Sequence, residues 1–175
     1  MPTRNDLNNL YLLDTCIYGV LVDRKHKDYE AVKTILNYAK EHREQFITTF
    51  VVNYELANMK LEHQGIVLPE YYLTLSKTMP PIEVILSEQY DDVEKLSWRY
   101  IQKLKIKSAK KVIYDALNYA LASYAGIDTF VTLNRKDLLA KEFQPSIKRI
   151  NEEMRIKYTE VSSPKLFLKS LAPLI

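Results

Sequence analysis

Glycine is scarce in this chain: three residues in 175, against an average near ~7%. A phosphate-cradling loop of the P-loop or dinucleotide-binding kind needs several glycines in a short window, so neither is present. There is one cysteine, Cys16, which cannot close an internal disulfide and suits a reducing, cytoplasmic setting. No run approaches the ~20 apolar residues that a membrane-spanning helix needs. Residues 1–9 are polar and lack the apolar core of a secretory signal, so they read as an N-terminal tail. The three histidines, His26, His42 and His63, stand in polar surroundings without metal-ligand spacing, which excludes a histidine-based zinc or general-base site. No serine-nucleophile elbow is found either.

What remains is a chain of ordinary composition, 47% apolar and 27% charged, long enough to bury a core. A net charge of +3 is too small to announce a nucleic-acid binder. Its distribution is more informative. From Leu96 to Tyr114 there is no acid, while Arg99, Lys103, Lys105, Lys107, Lys110 and Lys111 are basic. Such a stretch is a candidate guide for a phosphate backbone, with Arg99, Lys103, Lys107, Lys110 and Lys111 as RNA contacts. Trp98, Tyr100 and Tyr114 could stack on unpaired bases. The competing reading is a solvated basic helix with Trp98 in the core.

Short apolar runs alternate with helical patterns. Strands are expected at Leu10–Leu13, Phe46–Thr49, Ile82–Leu86, Thr129–Thr132 and Ile156–Val161. Helices are expected at Cys16–Val22 and Lys27–Glu44, and around Tyr54–Met59. Others are expected at Glu70–Lys77, Glu88–Lys105, Lys110–Tyr124, Lys136–Glu142, Ile147–Met154 and from Ser163-Pro164 onward. Gln64–Pro69 and Pro80-Pro81 interrupt the pattern, and Gly126 reads as a helix stop. Alternation of this kind predicts one α/β/α sandwich over residues 10–175 with a mainly parallel central sheet.

Four polar positions stand out against this background. Asp14 ends the first strand, Asn134 follows the fourth, and Glu55 and Asp115 lie on helices. In open α/β sheets functional groups collect beyond the carboxyl ends of the strands. Carboxylates gathered there repel one another unless a hard cation such as Mg²⁺ or Mn²⁺ joins them. Such a cation can activate water and steady a phosphodiester leaving group. Taken singly, Asp14 reads as a helix cap and Glu55 as a solvated acid. Asp115 lies within an apolar helical stretch, where an unpartnered carboxylate is expensive. Relief of carboxylate repulsion predicts that Asp14→Asn or Asp115→Asn leaves the fold intact or slightly steadier.

The segments Leu12-Leu13-Asp14-Thr15-Cys16, Tyr54-Glu55-Leu56, Asp115-Ala116-Leu117-Asn118-Tyr119-Ala120 and Val131-Thr132-Leu133-Asn134-Arg135-Lys136-Asp137 resemble those of PIN-domain nucleases. The likeness is strongest to the VapC-type ribonuclease toxins of type II toxin–antitoxin systems, and with the closing Val161–Leu168 it runs from about Leu10 to Leu168. It implies that Asp14, Glu55, Asp115 and Asn134 are the catalytic and Mg²⁺- or Mn²⁺-binding positions, with Thr15, Thr132 and Asp137 in support. It further implies hydrolysis of RNA to a 5′-phosphate and a 3′-hydroxyl, a homodimer, and an antitoxin protein as partner. Cys16 and Leu133 depart from the family's common Asn or Ser and Arg. The alternative is a catalytically weak PIN-like module that binds RNA or protein. A small-molecule phosphohydrolase of the DxD type is excluded, because Cys16 occupies the place of its second Asp.

Overall fold

The structure, a computed structural model, describes residues 9–58, 62–63, 66–67, 76–77, 87–104, 109–134, 136, 138–141 and 143–171. Six strands are assigned among them: β1 (Tyr11–Leu13), β2 (Phe46–Ile47), β3 (Glu62–His63), β4 (Ile66–Val67), β5 (Thr129–Val131) and β6 (Glu160–Ser162). Seven α-helices accompany them: α1 (Thr15–Gly19), α2 (Tyr29–Glu41), α3 (Phe50–Asn58), α4 (Ser87–Leu104), α5 (Ala109–Tyr124), α6 (Gln144–Glu153) and α7 (Pro164–Leu171). Strands β3 and β4 form a small antiparallel pair beside the pattern break. The others make a parallel sheet in the order β2-β1-β5-β6.

Register explains the layering. Tyr11 pairs with Phe46, and Leu12 with Phe130. Successive residues of a strand face opposite sides of the sheet, so Tyr11 and Phe46 share one face and Phe130 takes the other. On the first face Tyr11 meets Phe167 of α7 edge-on at 4.9 Å, and Tyr38 of α2 meets Phe46. On the second, Phe130 meets Tyr119 of α5 at 5.5 Å, and Tyr119 in turn packs on Tyr100 of α4. Helices therefore flank a parallel sheet on both sides, as the alternation of the sequence predicts.

The helices follow their apolar spacing. In α2, Val32, Ile35, Leu36 and Ala39 are buried at three- and four-residue intervals, with Glu30 in the first turn and Lys40 in the last, each favourable to the helix dipole. Helix α5 closes in a Schellman motif. The Gly126 N–H donates to the Ser123 carbonyl and the Ile127 N–H to the Ala122 carbonyl, with Gly126 at φ +71°.

Several expectations change. Strand β6 is shorter than the Ile156–Val161 run. The Ile156 N–H is taken by the Asn151 carbonyl, and the Lys157 carbonyl by the Asn151 side chain, so this backbone turns to α6 instead of the sheet. The described residues between Lys136 and Lys141 form turns, not a helix. There the Leu139 N–H reaches the Asn134 carbonyl, and Gln144 caps the Leu138 carbonyl. Tyr100 is fully buried and donates to Asn151, whereas Trp98 is 45% exposed, the reverse of what stacking and core packing suggested for each. The expected strand Ile82–Leu86 lies outside the described residues, as does the Glu70–Lys77 helix except for Ser76 and Lys77. Among the described residues no helix is long and apolar enough to cross a membrane.

A Cβ at Gly126 would meet nothing within 4 Å, so its conformation alone makes glycine the favoured residue. Gly126→Ala is expected to cost about 1 kcal/mol and Gly126→Asn less, read from urea unfolding midpoints.

Candidate active site

All four strands of the main sheet run the same way, so their carboxyl ends share one edge. The chain passes from β1 outward to β2, then returns to lay β5 on the other side of β1. The order reverses between β1 and β5, where ligands of open α/β sheets bind. Asp14 and Thr132, the residues that follow these two strands, face each other across that gap.

Asp14 is 4% exposed and N-caps α1, its Oδ1 accepting the Thr15 N–H at 2.9 Å. The capping reading is thus correct, and it describes one hydrogen bond of several. Oδ2 accepts the Thr132 hydroxyl at 2.6 Å and the Cys16 thiol at 3.1 Å, while the Asn118 amide reaches Oδ1 at 3.5 Å. The Asp14 N–H is bound to the Val131 carbonyl, which ties this residue to β5.

Glu55 enters from α3. The Thr15 hydroxyl donates to its Oε2 at 2.5 Å, so Thr15 holds Asp14 through its backbone and Glu55 through its side chain. Burial raises the Glu55 pKa, the Thr15 hydrogen bond opposes that shift, and the charge of Asp14 adds to it. On the far side, the Asn134 N–H donates to the Thr132 hydroxyl at 3.0 Å, and its side-chain amide donates to Asp115 Oδ2 at 2.8 Å. A continuous path therefore runs Glu55–Thr15–Asp14–Thr132–Asn134–Asp115. Asp137 lies outside the described residues.

Sequence reasoning missed Asn118 as a member of this site. It sits one helical turn after Asp115, on the same face of α5, and that spacing was the available signal. The Thr49 hydroxyl donates to Asn118 Oδ1 at 2.6 Å and accepts the Val52 N–H at the start of α3. Through Thr49 and Asn118 the ends of β2 and α3 are joined to Asp14.

Among the described residues no three Asp, Glu, His or Cys side chains gather closely enough to cage a metal ion. The donor set suits a hard cation that keeps most of its waters and takes one or two carboxylates. It does not suit a thiophilic metal. Burial foremost, then the charge of Asp14, pushes the Cys16 thiol well above its ordinary pKa, and the thiol acts as a hydrogen-bond donor.

The basic residues divide. Arg99 pairs with Glu153, whose carboxyl is held below its ordinary pKa foremost by the Arg99 hydrogen bond, so this guanidinium is already engaged. Lys103 is exposed. The side chains of Lys110 and Lys111, and all of Lys105 and Lys107, lie outside the described residues.

A chain in the crystal structure of VapBC2 from Rickettsia felis bound to a DNA fragment from their promoter superposes with a TM-score of 0.50. The likeness is one of fold. Identity is 18%, over 88% of this chain and 98% of that one. No protein-family model matches the chain, and no curated protein matches it by sequence.

Two outcomes follow from the hydrogen bonds. Asp14→Asn would turn an amide toward groups that donate to the carboxylate, so it should lose about 1–3 kcal/mol in urea unfolding. The gain expected from relieved repulsion is outweighed by those donors; a variant at least as stable as the parent would show otherwise. Glu55 makes stability depend on pH. Its folded pKa lies above the ordinary 4.5, so between those two values the folded chain binds more protons than the unfolded one. Stability should fall as pH rises through that window, and Glu55→Gln should flatten the fall when unfolding is followed in EDTA. An unchanged curve would mean that Glu55 binds its proton equally well in the folded and unfolded chain.

Proposed function

We propose that this protein is a divalent-metal-dependent endoribonuclease of the PIN type. The observation that carries the reading is the hydrogen-bonded path linking Glu55, Asp14 and Asp115 across the reversal point of a VapBC2-like sheet. In this reading Asp14, Glu55 and Asp115 supply the anionic oxygens, with Asn134 holding the fourth position. Thr15, Thr132 and Asn118 keep the acids oriented, which limits reorganisation when substrate arrives. Mg²⁺ or Mn²⁺, when bound, supplies charge neutralisation at the phosphodiester and a more acidic water. Lys103 is a candidate to meet the phosphate backbone, while Arg99 would first have to leave Glu153.

The toxin assignment rests on the motif resemblance together with the fold shared with VapBC2. It brings an antitoxin protein as partner, and the resemblance adds a homodimer. A second reading has one observation in its favour. The acceptor positions of Asp14 are met by the chain's own donors, and no ready-made cage of acids is found among the described residues. A weakly catalytic module that binds RNA or protein would look this way.

Cleavage of mixed-sequence single-stranded RNA in Mg²⁺, Mn²⁺ or EDTA decides between them. Asp115→Asn is the cleaner variant, because the Asn134 amide that donates to Asp115 can still donate to an Asn oxygen. Metal-dependent cutting by the parent, reduced at least about a hundredfold in Asp115→Asn, is the expected outcome. RNA binding without cutting under any metal would favour the binding module.

A further inference from the structure

Beside the acidic path lies an aromatic cleft that the chemistry above does not use. Phe50 and Tyr54, four residues apart on α3, face Tyr114 of α5, with Val51 as the fourth lining residue. Three of these are large apolar rings left in solvent: Phe50 is 47% exposed, Tyr54 55% and Tyr114 39%. Tyr54 and Tyr114 stack with centroids 5.9 Å apart and planes inclined by 27°. The open space beside them is about 360 Å³, ample for one heterocyclic ring system. Each tyrosine is followed in the chain by an acid of the site, Tyr54 by Glu55 and Tyr114 by Asp115. The same turns of α3 and α5 thus carry both the acids and the rings.

We propose that this cleft is a stacking subsite for one unpaired nucleobase of an RNA strand, next to the phosphodiester held at the acids. The inference rests on the nuclease reading for what happens to that strand, and it narrows the substrate class to single-stranded or looped RNA. Among the described residues the lining is aromatic and aliphatic without a charged side chain, which favours a π-face over a phosphate or a peptide carboxylate. Every base offers such a face, so the subsite tolerates sequence. The two tyrosine rings are too close to admit a third between them. The base therefore stacks on an outer ring face of the pair, with Phe50 beside it. A base paired within a duplex cannot reach it without leaving the stack.

The test compares the parent with Tyr54→Ala, Tyr114→Ala and Tyr54→Phe. Affinity for a short labelled single-stranded RNA and for its duplex is measured in EDTA, and the cleavage rate of the single strand in Mg²⁺ and Mn²⁺. Each alanine variant should lose about tenfold in single-strand affinity and leave duplex affinity unchanged. Tyr54→Phe keeps the ring face and should bind like the parent. Equal single-strand affinity in the parent and both alanine variants would overturn the subsite, as would losses as large on the duplex. A fall in oligomeric state of the alanine variants by sedimentation would also overturn it, marking the rings as a contact between copies. A parent that binds single strands in a Tyr54-dependent way yet never cuts would keep the subsite and remove the nuclease. A parent that cuts with rates and affinities indifferent to both tyrosines would do the reverse.

Discussion

The buried carboxylate of Asp14 is the constraint around which the other parts of the site are arranged. A carboxylate 4% exposed persists in a fold only when its lone pairs are met. Here four donor residues come from three elements or their ends: Thr15 and Cys16 from α1, Thr132 beyond β5, and Asn118 from α5. Satisfying this one group draws the ends of two parallel strands and two helices to a common point. Glu55 and Asp115 are then attached at one remove, through Thr15 and Asn134.

This arrangement has an electrostatic consequence. Acids brought together by hydroxyl and amide bridges keep their mutual repulsion, and the raised pKa of Glu55 records part of it, burial being the larger part. For Glu55, burial and the nearby negative charge of Asp14 both disfavour the ionised form, and positive charge beside it would relieve both. The protonated Cys16 thiol belongs to the same logic: held against Asp14 by burial and by that negative charge, it donates a hydrogen bond and presents no thiolate. Substrate contacts would come from a different quarter, with the Tyr54–Tyr114 rings on the very helices that carry Glu55 and Asp115.

Much of this was legible beforehand, for identifiable reasons. Leu10–Leu13 and Thr129–Thr132 are short, apolar and bounded by polar residues, a pattern that only a buried strand satisfies at that length. The α2 segment repeats apolar residues at helical spacing, and Gly126 marked the end of α5 because its positive φ is costly for any other residue. Where reading failed, side chains had intervened in backbone pairing. Asn151 and Gln144 cap carbonyls that a strand at 156–159 or a helix after Lys136 would have used. Tyr100 and Trp98 were exchanged in role because both lie on one helix, and composition does not say which side of α4 meets Tyr119.

Sequence alone determined most element types, the alternation that leads to a parallel sheet, and Asp14, Glu55, Asp115 and Asn134 as candidates, since these depend on local periodicity and residue chemistry. Only the tertiary structure decided the strand order that puts the reversal beside Asp14. It alone placed Asn118 and Thr49 in the path, engaged Arg99 with Glu153, and set Tyr54 against Tyr114. Each of these joins groups far apart in the chain, from 54 residues for Arg99 and Glu153 to 118 for Asp14 and Thr132, through contacts of a few ångströms. Such contacts exist only after the sheet and its flanking helices have packed, and no periodicity in the chain encodes them.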